Sequence, residues 1–184
     1  MSLEYVKYNL MKKNWLKYII AFCSVLFIRL LPVRAPNVEP IMSIIMPFGK
    51  VYGMLMSFLF AVLSIGVYDL ITSGIGIWTL ITSFTYGVVA IGAFLFFKNK
   101  SGWKNYAMYS IIATIFFDAI TGLIPGPMFY NQPFISALIG QIPFTFYHLI
   151  GNTAFAIILS PAIEGWLLRE SPKPFYLTSS VKGI

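Results

Sequence analysis

The basic residues of this chain cluster in the gaps between long apolar stretches, and that spacing leaves few folds open. Lys12, Lys13 and Lys17 stand at the start of the first stretch. Lys98, Lys100 and Lys104 fill a gap in the middle, and Arg169, Lys173 and Lys182 follow the last. Apolar runs of about 20 residues separated by short charged gaps are the pattern of bilayer-crossing helices, and lysine and arginine gather in the cytoplasmic gaps. Composition points the same way, with 58% hydrophobic and 10% charged residues, against about 25% charged in a soluble domain. The net charge of +7 lies in segments flanking the apolar runs. It therefore reads as a topology signal with some attraction for anionic lipid, not as a nucleic-acid surface. One cysteine, Cys23, excludes an internal disulfide and a cysteine-based metal cluster.

The pattern predicts an all-α membrane protein with a single integral domain: a cytoplasmic segment over 1–14, a six-helix bundle over 15–168 and a cytoplasmic tail over 169–184. The six helices are expected over 15–31, 41–48, 51–71, 78–97, 105–124 and 134–168. Proline- and glycine-marked loops fall at 33–40, 73–76 and 125–133. The second segment covers only ~15 Å of a ~30 Å hydrocarbon core. Its crossing is nevertheless what brings Lys98 to Lys104 to the cytoplasmic side. With six crossings both termini are cytoplasmic. Lys7, Lys12, Lys13, Lys17, Lys50, Lys98, Lys100, Lys104, Arg169, Lys173 and Lys182 then share one side, eleven of the thirteen basic residues. Only Arg29 and Arg34 stand near the other face. Trp15, Trp103 and Trp166 fall at the cytoplasmic interface, where aromatic belts sit. Pro36 follows the small-residue site Val33-Arg34-Ala35 and disfavours cleavage there, so the first segment is expected to stay as a helix.

Gly49, Gly53, Ser57 and Ala61 recur every four residues. This small-residue face suits close helix packing, within the bundle or against a partner. A faint repeat sets Asp69-Leu-Ile-Thr72 beside Asp118-Ala-Ile-Thr121, and Phe84-Thr85 beside Phe144-Thr145, as parallel hairpin repeats would. The polar residues inside the apolar runs form stripes. Gln141, Thr145, His148 and Asn152 stand at i, i+4, i+7 and i+11; Ser110, Thr114, Asp118 and Thr121 stand at i, i+4, i+8 and i+11. Thr79, Thr82, Ser83 and Tyr86 add a third group. Such faces are costly in lipid and are expected to point into the bundle, toward a polar pocket open to the exterior. The plainer alternatives are serine and threonine hydroxyls bonding their own helix carbonyls and Asp118 with His148 as a structural pair. Aromatic and amide side chains near such a pocket suit a small organic ligand with rings and hydrogen-bonding groups. The outer acids Glu39, Asp69 and Asp118 nearly balance Arg29 and Arg34, which does not favour a strongly anionic ligand. No P-loop, Gly-x-Ser-x-Gly or His-Glu-x-x-His motif is present. One histidine does not make a zinc or bis-histidine haem site. No catalytic residue, cofactor or metal is therefore assigned, and the chain is expected not to be an enzyme. A hydrolase built on Asp69 and Asp118, or a membrane enzyme using Asp118 and His148 as bases, is the weaker alternative.

On these residues the chain resembles the S components of energy-coupling factor (ECF) transporters, the small six-helix membrane subunits that capture vitamins and related micronutrients. The resemblance covers roughly 20–168. It is carried by Pro47-Phe48-Gly49 through Gly53 to Asp69, and by Gly140-Gln-Ile-Pro-Phe-Thr145 through His148 to Gly151-Asn152. It implies an outward-facing pocket built by the first loop and the outer parts of the last three helices. By position these are Arg34, Asn37, Glu39, Trp78, Asp118, Gln141, Thr145, His148 and Asn152. It also implies a transmembrane T component and cytoplasmic ATPase subunits as partners, in a prokaryotic cell membrane. Many S components dock through an Ala-x-x-x-Ala motif in the first helix. This chain has Ala21 followed by Val25 in that register, with Ser24 nearby, so Ala21 and Ser24 are the docking candidates. The function expected is capture of a vitamin-like solute for ATP-driven uptake. The alternative is a structural or assembly subunit of a larger membrane complex without its own ligand.

Overall fold

A computed structural model describes residues 3–31 and 40–169, with side chains from 15 onward. Among the described residues the chain is all-helical: α1 (Leu3–Leu30), α2 (Ile41–Thr72), α3 (Ile77–Phe97), α4 (Trp103–Leu123), α5 (Pro125–Phe129) and α6 (Phe134–Leu168). Among the described residues, four stretches are long and apolar enough to cross a bilayer: α2, α3, α4 together with α5, and α6. They make the chain compatible with a multi-pass membrane protein.

The expected second and third helices are the two legs of α2. Residues twelve apart in a straight helix lie ~18 Å apart. Yet the Ser57 hydroxyl donates to the Ile45 carbonyl at 3.2 Å, and the Phe48 and Phe60 rings meet at 4.5 Å between centroids. The chain folds back at Gly53, whose φ of 82° and ψ of 177° break the helix. Residues without a side chain reach that region readily; others do so only under strain. The first leg thus runs over 41–52, beyond the expected end at 48. Every residue from Ile41 to Lys50 is buried, so this short leg is the centre of the molecule. The reversal also corrects the small-residue face. Gly49 lies before the turn and Gly53 in it, so neither shares a face with Ser57 and Ala61. Ser57 and Ala61 let the legs approach, while Gly49 admits α3: a Cβ there would lie 2.9 Å from Phe94 Cα.

Around the first leg, α2 packs on α3, α4 packs on α6, and α6 also touches α2. Ser160 on α6 donates to the Ser43 carbonyl at 2.9 Å. Tyr18, Phe48, Tyr52 and Phe60 form one aromatic cluster and Phe96, Phe97, Tyr106 and Tyr109 another. α1 packs chiefly on α2 and begins at Leu3, well before the expected start at 15. Leu16, Ile19 and Phe27 of α1, Leu80, Phe84 and Leu95 of α3, and Ile135, Ile139, Phe146 and Ile158 of α6 face outward. Exposed apolar side chains in such numbers are at home against lipid.

The bundle has two chemically different ends. At one, Lys50 pairs with Glu164 and donates to Ser101, the Ser101 hydroxyl donates to Glu164 at 3.1 Å, and Tyr106 donates to Glu164 at 2.9 Å. Lys17 donates there to the Trp166 and Leu167 carbonyls at 2.8 and 3.2 Å. It thereby caps the last turn of α6, where free carbonyls favour a cation. At the other end the Thr79 hydroxyl donates to the Asp69 carboxylate at 2.6 Å. The Asp69 carbonyl accepts from Ser73 and Gly74, and Gly74 has a φ of 82°. That glycine turn ends α2 and starts α3 alongside it.

Candidate functional site

α4 and α6 run antiparallel, so one step of four residues up α4 meets one step of four down α6. Their polar stripes meet accordingly. Asn152 donates to Thr114 at 3.0 Å, and four residues along each helix His148 Nδ1 lies 2.7 Å from Asp118 Oδ1. All four are buried. Thr114 and Ser110 in turn bond the Met42 sulfur at 3.5 and 4.0 Å, which sets the start of the α2 first leg beneath this level. The remaining pair closes within α6, where Gln141 donates to Thr145 at 3.1 Å. Buried polar groups in an apolar bundle are costly unless bonded, so these bonds hold α4 and α6 in register as well as filling the site.

Above them, toward the Asp69 end, opens a cavity of 580 Å³, within the ~300–1,000 Å³ range of small-molecule sites. α1 gives it Arg29. α2 gives Ile65 and Asp69, and α3 gives Trp78, Thr82 and Tyr86. α4 gives Phe117, Thr121 and Gly122. Gly126, Tyr130 and Gln132 close it on the α5 side, and α6 gives Ala137, Gly140, Gln141, Phe144 and His148. Its walls are aromatic: Tyr86 lies 4.2 Å from Phe117 between centroids, and the His148 ring meets Phe117 and Phe144 edge-on at 6.0 and 5.6 Å. Two glycines make room for two amides. A Cβ at Gly122 would fall 1.8 Å from Gln141 Oε1, and one at Gly126 would fall 2.0 Å from Gln132 Oε1. Arg29 lies over the Tyr68 ring at 4.2 Å, a cation–π contact at the cavity edge.

Of the residues picked out from the sequence, Trp78, Gln141 and His148 line the cavity. Asp118 stands behind His148, Thr145 behind Gln141, and Asn152 one rung below. Arg34, Asn37 and Glu39 lie outside the described residues. Ala21 is packed in the core beside Val25, whereas Ser24 is exposed and its hydroxyl donates to the Ile20 carbonyl at 2.8 Å. The two docking candidates therefore do not share an exposed face. Arg29, Asp69, Thr82, Tyr86, Tyr130 and Gln132 also line the cavity; the sequence reading sets Thr82 and Tyr86 in a pocket-facing stripe and the others at the outer end, but names none of the six as a binding residue. Arg29 and Asp69 carry a usable signal, being charges set in or beside apolar runs. Both members of the faint repeat are buried acids that bond a side chain of the next long helix, Asp69 to Thr79 and Asp118 to His148. Their threonines differ, since Thr72 is exposed and Thr121 buried. Several hydroxyls do take the plainer role of bonding their own helix: Thr82 donates to Trp78, Thr85 to Ile81 and Thr121 to Phe117. Among the described residues no three histidine, cysteine or acidic side chains gather as a metal site. No protein-family model, curated protein or solved structure matches the chain.

Proposed function

We propose that this chain is a solute-capture subunit of ECF type, binding a vitamin-like small molecule from outside a prokaryotic cell and passing it inward with energy from partner ATPases. The observation that carries the reading is the aromatic-walled cavity at the bundle end opposite Lys50, Lys100 and Arg169. Basic residues mark the cytoplasmic side, so the cavity faces outward. In this reading the chain crosses six times with both termini inside. The short first leg of α2 makes the second pass. The chain has no nucleotide-binding loop, so energy comes from separate cytoplasmic ATPase subunits through a membrane-embedded T component. The exposed side of α1, with Ile20, Ser24 and Phe27 on it, offers that component a helix-sized apolar surface.

Mass spectrometry of small molecules extracted from the purified protein tests this, with an Asp118→Ala/His148→Ala double variant as control. The expected result is a small polar ring compound retained by the native chain and lost from the variant. A native protein that is folded yet retains nothing, before and after incubation with a vitamin panel, would replace this reading with that of a structural subunit whose polar rungs serve only to join α4 and α6.

A further inference from the structure

The rungs between α4 and α6 leave polar atoms over. Asp118 Oδ1 meets His148 Nδ1 at 2.7 Å, while its other oxygen, Oδ2, is buried with no hydrogen-bond partner among the described residues. One turn further along α6, Asn152 gives Nδ2 to Thr114, and its Oδ1 is buried and likewise without a partner. Asp118 is 1% exposed and Asn152 fully buried. Neither lines the cavity, whose α6 wall ends at His148. Buried polar atoms in folded proteins nearly always have a partner, either protein or ordered water. An oxygen without one inside an apolar bundle is costly. The two oxygens belong to neighbouring rungs, one helical step of about 6 Å apart. One water with two bonds of about 2.8 Å spans such a step.

We infer that a buried water-binding site lies in the seam between α4 and α6, with Asp118 Oδ2 and Asn152 Oδ1 as its protein partners. Water suits this site because it both donates and accepts. With Asp118 ionised, the water gives a proton to each oxygen. With Asp118 neutral, it accepts from the carboxylic acid and still donates to Asn152. The site is therefore filled whichever way the Asp118–His148 pair holds its proton. The bound water joins the two rungs into one network. That network runs from His148, at the cavity wall, through Asp118, the water and Asn152 to Thr114 and the Met42 sulfur. His148 is thus positioned from below by a chain of bonds that reaches the start of the α2 first leg. The site goes beyond solute capture and holds equally for a chain whose rungs only join helices.

X-ray hydroxyl-radical labelling of the full chain in lipid nanodiscs tests this. Radicals form from bound water in place and oxidise the side chains beside it, and methionine sulfur is readily oxidised. Met42 is the reporter, because it is fully buried and its sulfur takes the Thr114 hydroxyl at 3.5 Å. Met46, one turn further along the same leg, is buried as completely and packs in the apolar core. Met42 should be oxidised and Met46 spared, and Asn152→Leu should bring Met42 down to the Met46 level. Oxidation of neither methionine would overturn the inference by showing a dry seam. Equal oxidation of both would overturn it by showing general opening of the chain. Undiminished oxidation of Met42 in Asn152→Leu would overturn it by placing the water elsewhere. Should that variant fail to fold, the comparison of Met42 with Met46 in the native chain decides by itself.

Discussion

Gly53→Ala isolates the backbone reversal on which the interior depends. No heavy atom lies within 4 Å of a Cβ built there, so the substitution introduces no collision and its effect is conformational. The region of φ 82° and ψ 177° is essentially reserved for glycine, and forcing another residue into it costs on the order of 1–3 kcal/mol. Gly66→Ala is the matched control. It lies in the second leg of the same helix, also has no heavy atom within 4 Å, and has ordinary helical geometry. There alanine should stabilise by about 0.5–1 kcal/mol. The two variants should therefore differ by about 1.5–4 kcal/mol, in opposite directions from the native chain. Unfolding by denaturing detergent, followed by circular dichroism in micelles, measures both. If the two variants proved equally stable, the reversal at Gly53 would not be present and the central leg would need another explanation.

Removing one partner of the Lys50–Glu164 pair, by Lys50→Ala or Glu164→Ala, should cost about 3–5 kcal/mol by leaving the other charge buried. The Lys50→Met/Glu164→Met double variant should cost less than either single change in the same unfolding assay. Tyr109→Phe removes a buried hydroxyl that donates to the Val89 carbonyl at 2.5 Å, and should cost about 1 kcal/mol. Gly122→Ala should push the Gln141 amide into the cavity. It should lower retention of the extracted compound about tenfold, the equivalent of one misplaced hydrogen bond, with a much smaller change in unfolding.

The polar stripes on α4 and α6 are legible in the sequence because the spacing Gln141, Thr145, His148, Asn152 admits only one helix face. Which residue of α4 meets which of α6 is not. That register is set by the link over 124–133, and Pro125-Gly126-Pro127 reads as a loop although it starts the short helix α5, where proline at the first turn is well tolerated. Gly53 is hidden for a different reason. A glycine four residues after Gly49 looks like a packing face, and only its dihedral angles show that it ends one leg and begins the next. The cavity's glycines carry no signal either, since Gly122 matters only once Gln141 is known to lie against it.

The first leg of α2 has a consequence for how the chain is made. A segment of about 18 Å that is buried on every side, with Lys50 near its end, is too short to rest alone in a bilayer as it leaves the ribosome. Much of what encloses it, α3, α4 and α6, is synthesised later. On the membrane reading, this piece would settle only once its walls arrive. Glu164, the partner of Lys50, is nearly the last residue of the bundle to emerge. Chains truncated before α6 should therefore leave the first leg of α2 without one of its walls and be quality-control substrates.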